Sequence, residues 1–147
     1  ENKMNSEQRI PHSIRKPFFG KDTCLVFQAN ARAGKVFLDV GKKEGGTWKW
    51  NKAKIDDEEM GEILRVLKGE TEEASFYHEF EGKTTKIWVN RKQENVYFRI
   101  EDQSKALTPA QQAILQVLVR EAIVAVNIDT GKKQKRTAAP APQNYNR

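Results

Sequence analysis

The chain has 147 residues, with 26 Lys and Arg against 20 Asp and Glu for a formal net charge of +6, and a single cysteine. That length suffices for one domain, or for two small units sharing a core, while a lone Cys24 excludes an internal disulfide framework and suits a reducing compartment. No apolar run reaches the roughly 18 residues of a membrane span, and the polar start ENKMNSEQRI is unlike a signal peptide, so the expectation is an intracellular protein (cytoplasmic, nucleoid or nuclear, or of an organellar matrix) with no membrane partner.

Residues 1–22 carry Pro11, Pro17 and Gly20 with little periodicity and read as a flexible arm, with Phe18 and Phe19 placed to pin its end. From Cys24 the runs CLVFQANA, KVFLDV and TWKWNKAKI predict three strands, divided by the Ala33-Gly34 turn and the KKEGG loop. Asp56 with Asp57, Glu58 and Glu59 predicts a capped helix start, where carboxylates meet the positive end of the helix dipole. Met60, Ile63, Leu64 and Leu67 then fall on one face, and Gly69 ends the helix. ASFYHEF, KIWVN and NVYFRI predict three further strands. The last helix starts at Thr108 with Pro109 in its first position and runs to about Val126. GKKQKRTAAPAPQNYNR then loses apolar content, so 129–147 reads as a basic, Ala/Pro-containing flexible tail.

Ile63-Leu64 and Val66-Leu67 recur as Ile114-Leu115 and Val117-Leu118, an offset of 51 that also aligns Lys35–Asp39 with Lys86–Asn90. With one gap in the glycine loop, Trp48-Lys49-Trp50 aligns with Phe98-Arg99-Ile100. This predicts an α+β fold of two tandem antiparallel sheet-plus-helix repeats, about 24–70 and 75–128, packed around a shared core in one domain, 23–128. Strand alternation points Val36, Leu38, Val40, Ile87 and Val89 toward the helices, and the alignment adds Trp48, Trp50, Phe98 and Ile100 to that inward set.

The opposite face mixes rings with cations: Gln28, Lys35, Phe37, Lys49 and Asn51 in the first repeat, and Tyr77, Lys86, Trp88, Asn90, Tyr97 and Arg99 in the second. Charge is also segregated, with seven basic residues against Asp39 and Glu44 from Cys24 to Lys54, and eight acids against Arg65 and Lys68 from Asp56 to Glu73. Exposed rings stack on unpaired bases and cations neutralise phosphates. The candidate binding residues are Arg32, Lys35, Phe37, Lys49, Lys52, Tyr77, Lys86, Trp88, Tyr97 and Arg99, and the expected partner is single-stranded DNA or RNA.

The tandem strand-and-helix pattern of Cys24–Ile128 resembles the Whirly class of single-stranded DNA- and RNA-binding proteins. That class takes in the Whirly proteins, PUR repeats, kinetoplastid mitochondrial guide-RNA-binding proteins and positive cofactor four. NARAGKVFLDV is similar to the PUR turn, with Asn30, Arg32, Gly34 and Phe37 at the matching positions. The resemblance implies four strands per repeat, the fourth of the first copy coming from residues 10–20. It also implies nucleic-acid binding across strand faces and edges, and self-association as a dimer or tetramer.

Catalytic and metal patterns are scarce. His12, His78 and Cys24 make no zinc spacing, the acidic run is explained by the helix start, and GKKEGG lacks the Gly-Lys-Ser/Thr of a phosphate loop. No enzyme activity, metal or cofactor is expected. The competing reading is a protein-interaction module whose aromatic face and acidic helix serve as docking surfaces.

Overall fold

A computed structural model of the chain describes residues 13–30 and 32–128. The start of the expected arm, 1–12, and the 129–147 tail lie outside the described residues. The first unit contains β1 (Ser13–Phe19), β2 (Thr23–Asn30), β3 (Lys35–Glu44), β4 (Thr47–Ile55) and α1 (Asp57–Leu67). The second contains β5 (Glu73–Phe80), β6 (Lys83–Lys92), β7 (Asn95–Ile100), β8 (Gln103–Leu107) and α2 (Pro109–Asn127). Each unit is a four-stranded antiparallel sheet in sequential order, followed by its helix.

The two strands missing from the three-per-repeat reading are β1 and β8. β1 occupies 13–19, inside the expected arm and where the resemblance placed a fourth strand. Its Pro17 lacks a backbone donor, which an edge strand tolerates. Phe18 turns into the core while Phe19 is exposed. β8, QSKAL, has little apolar content because one of its inward positions is Lys105, itself buried beside Gly20.

Alternation builds the core from the inner faces of both sheets. Leu25, Phe27, Val36, Leu38 and Val40 of one sheet and Ile87, Val89, Phe98 and Ile100 of the other are buried with Met60 and Ile63 of α1 and Leu115 of α2. Burying such side chains stabilises by about 1.5–3 kcal/mol each. Asn51, read as an outer-face residue, instead staples the sheets: its amide donates to the Ile100 carbonyl at 2.9 Å and to Asp102 Oδ1 at 3.1 Å.

Local chemistry fixes the ends of the elements. Asp56 accepts from the Glu59 backbone N–H at 2.8 Å, and Glu59 Oε1 accepts from the Asp56 N–H at 3.0 Å, a closed capping box. Thr108 and Gln111 make the same exchange at the start of α2. At the other end of α1, Arg91 of β6 donates to the carbonyls of Val66 at 2.8 Å and Leu67 at 3.0 Å. Gly45 and Gly46, at φ of 60° and 82°, form the two-residue hairpin between the paired Glu44 and Thr47, a turn needing positive φ at both positions.

The fold repeats, but not in the register that the sequence suggests. An offset of 51 aligns β2 with β5 and β3 with β6, yet β2 and β3 are second and third in their sheet whereas β5 and β6 are first and second. In the helices the structural offset is one residue longer: the caps are Asp56 and Thr108, and buried Met60, Ile63 and Leu67 correspond to buried Gln112, Leu115 and Val119. One residue is about 100° of helix rotation. Ile114 and Val117, which match buried Ile63 and Val66 in letters, therefore point to solvent.

Candidate functional site

The outer face of the second sheet is set by pairing. Tyr77 lies across from Lys86, Trp88 across from Arg99 on one side and Ser75 on the other, and Asn90 across from Tyr97. Cross-strand neighbours on one face are about 4.5–5.5 Å apart, so these side chains form one cluster. Lys86 Nζ stands 4.8 Å from the centre of the Tyr77 ring and 4.7 Å from that of Trp88, and the Arg99 guanidinium stands 4.8 Å from Trp88. Arg99 is positioned by a 2.7 Å hydrogen bond from its Nε to the Glu101 carbonyl. Tyr77 is 65% exposed. Trp88, Asn90, Lys92, Tyr97, Arg99 and Ser104 line a shallow depression of about 400 Å³.

The first sheet repeats the chemistry with different residues. Phe37 lies between Gln28 and Lys54, and Lys52 Nζ stands 4.6 Å from the Phe37 ring centre. Lys35 is exposed on this face at the start of β3, and Arg32 is exposed in the turn before it. Phe37, Lys52 and Lys54 also line a groove of about 840 Å³ that continues to Glu59 of α1 and to His78 and Thr85 of β5 and β6. His78 is tied there by a 2.7 Å contact between its Nε2 and Glu59 Oε2, a structural link between β5 and α1.

Two inward assignments are corrected. Trp48 and Trp50 pair with Lys43 and Gly41, on the same face as Phe37 and opposite to buried Ala53 and Ile55. They stack with ring centres 5.4 Å apart. Trp50, 45% exposed, rests against Gly41, where a Cβ would come within 2.5 Å of its ring. By the same parity Lys49 leaves the aromatic face; its ammonium lies 3.8 Å from Glu44. Of the predicted residues, Tyr77, Lys86, Trp88, Tyr97 and Arg99 come together on one sheet, and Lys35, Phe37 and Lys52 on the other, with Arg32 at its rim. Lys54 and the tryptophan pair were missed, although Ala53 and Ile55 were signals of β4's parity in the sequence.

Asp39 occupies the middle of the first outer face, across from Lys52. Burial pushes its carboxyl above the usual carboxylate range, with Lys52, Arg15 and a hydrogen bond from Gln28 only partly offsetting the loss of water. Among the described residues, no group of three or more His, Cys, Asp and Glu is arranged to hold a metal ion, and no helix is long and apolar enough to cross a membrane.

Two sheets of four antiparallel strands, each closed by a helix, match WHY1 from Arabidopsis thaliana with a TM-score of 0.64 at 13% identity, over 87% of this chain and 99% of that chain. The fold is Whirly-like. WHY3 from Arabidopsis thaliana is similar at a TM-score of 0.59 and 14% identity, over 77% of this chain and 88% of that one. The plant transcriptional regulator PBF-2 is similar at 0.61 and 14%, over 91% and 93%. No protein-family model and no curated protein matches the chain in sequence. The Whirly-like frame thus carries ring-and-cation clusters on both sheets of a chain that is 13–14% identical to those neighbours.

Proposed function

We propose that this protein binds single-stranded nucleic acid, DNA or RNA, on the outer faces of its two sheets. Bases stack on Phe37, Tyr77, Trp88 and the Trp48–Trp50 pair, and phosphates meet Lys35, Lys52, Lys54, Lys86 and Arg99. The observation that carries this reading is the placement of cations on open ring faces in both sheets. An exposed cation–π contact is worth about 0.5–1 kcal/mol, whereas stacking a base on a ring is worth about 1–3 kcal/mol. A base therefore displaces the cation from the ring, and the freed ammonium or guanidinium is already beside the strand's phosphates. The Whirly-like fold is consistent with this activity, as is the likeness to the plant transcriptional regulator PBF-2. The proposed activity is binding, with no catalytic step and no cofactor, inside the cell.

Self-association is part of the proposal. Ile114, Val117 and Val124 are each 45–55% exposed and follow one another along α2 at spacings of three and seven, with exposed Ile128 at the helix's C-cap. A second copy covers this stripe, giving a dimer or tetramer. The same stripe supports the competing reading of a protein-docking module. Fluorescence anisotropy of end-labelled single-stranded DNA, single-stranded RNA and duplex separates the two. Tighter binding of a single strand than of duplex, weakening as salt rises, supports the nucleic-acid reading. Absence of binding at low salt leaves the docking module.

A further inference from the structure

A surface of rings and cations does not account for Asp39. It lies on β3 between Phe37 and Gly41, so the Phe37 ring flanks it on one side and the Trp50 ring, resting on Gly41, on the other. Its Oδ2 accepts a 3.3 Å hydrogen bond from Gln28 and stands 3.9 Å from Lys52 Nζ. Its Oδ1 is buried and has no hydrogen-bond partner among the described residues. A buried acceptor without a donor carries its full desolvation cost, and so calls for an explanation.

Lys52 links this carboxylate, through Oδ2, to the stacking site. The same ammonium that stands 4.6 Å from the Phe37 ring centre stands 3.9 Å from the Asp39 carboxylate. When a phosphate draws Lys52 away, the ring face and the carboxylate open together. A base stacked on Phe37 then presents its edge toward Asp39, because alternate residues of a strand are about 7 Å apart on one face.

We infer that Asp39 reads the base stacked on Phe37 by accepting a hydrogen bond from its exocyclic amine, so that cytosine, adenine and guanine are favoured over thymine and uracil. The inference rests on the proposed single-strand binding. The chemistry is one of donors: cytosine N4, adenine N6 and guanine N2 carry N–H groups that an ionised carboxylate accepts. Thymine and uracil instead flank their one N–H with two carbonyl oxygens, which the carboxylate repels. Gln28 supports the role by holding the carboxylate in place through Oδ2 when Lys52 leaves.

The test is equilibrium anisotropy of the full chain with labelled 12-mers of oligo(dC) and oligo(dT) near neutral pH, for the wild type, Asp39→Asn and Asp39→Ser. The wild type is expected to bind oligo(dC) roughly tenfold more tightly than oligo(dT). Both variants are expected to bring the two within about twofold, chiefly by gaining on oligo(dT), since they remove the charge that repels its carbonyls. Equal affinities in the wild type overturn the inference without recourse to a variant, as does a preference that persists in a variant shown to be folded by circular dichroism. If neither oligonucleotide binds, the proposed function itself falls, and that outcome differs from binding without preference.

Discussion

Arg99 holds its guanidinium 4.8 Å from the centre of the Trp88 ring, anchored from behind by its Nε–H bond to the Glu101 carbonyl. Lys86 approaches the same ring at 4.7 Å. Among the described residues Trp88 is therefore the ring with the most cations against it, and its loss should be felt most. Trp88→Ala is expected to weaken single-strand binding roughly 5- to 150-fold, the equivalent of one stacked base. Its melting temperature should move by only a few degrees, about what a surface truncation causes. Anisotropy titrations beside thermal melts check both halves.

Phosphate contacts have a different signature. Each one lost from a single-strand complex lowers the slope of log K against log salt by about 0.7. Lys35→Ala and Lys86→Ala should each show that reduction, while Lys49→Ala should leave the slope unchanged, because Lys49 lies off the aromatic face and beside Glu44. Titrations at four or five salt concentrations measure the slopes. A large change in the Lys49 variant would mean that the strand runs along the other side of β4.

The contrast between Lys49 and its neighbours shows where sequence reasoning succeeded and where it failed. The caps at Asp56 and Thr108 were legible because each is local, a side chain meeting a backbone N–H three residues on. Val36, Leu38 and Val40, and Tyr77, Lys86 and Trp88, were assigned to the right faces because strict alternation binds each strand to itself. Trp48 and Trp50 went to the wrong face because their direction was borrowed from Phe98 and Ile100 through an alignment, and not taken from Ala53 and Ile55 within β4. β1 and β8 were hidden by edge-strand chemistry, a proline in one and a buried lysine in the other. The matched letters of the two helices misled for a related reason. Burial follows the cap, and the caps are one residue out of step with the identities.

Asp39 gives a prediction about acidity that is independent of any ligand. Its carboxyl is raised above the ordinary value by burial, so the folded state holds the proton more tightly than the unfolded chain does. The favourable contribution is thus fully present below the unfolded value and is lost as pH rises through the raised folded value. At neutral pH the ionised group costs stability. Asp39→Asn should raise the melting temperature near pH 7, and the gain should shrink as pH falls past the raised value toward the ordinary carboxylate range. Melting both proteins across that range checks the sign.

The stripe on α2 predicts a change in assembly. Ile114, Val117, Val124 and Ile128 make no demand on the monomer's core, so Val117→Asp with Val124→Asp should leave folding within about 1 kcal/mol of the wild type. The double variant should be monomeric where the wild type is a dimer or tetramer, as read by light scattering across a concentration series. If both have the same mass, a second copy is not what covers the stripe.

All three tryptophans of the chain, Trp48, Trp50 and Trp88, lie on the outer sheet faces proposed to bind bases. Their intrinsic fluorescence, titrated with single-stranded DNA, single-stranded RNA and duplex at low salt, reads those rings directly. The expected result is saturable quenching by at least one single strand, weaker or absent with duplex, and reversed by added salt. Unchanged emission with every oligonucleotide, or equal quenching by duplex and single strand, would contradict the assignment of these faces as a single-strand binding surface.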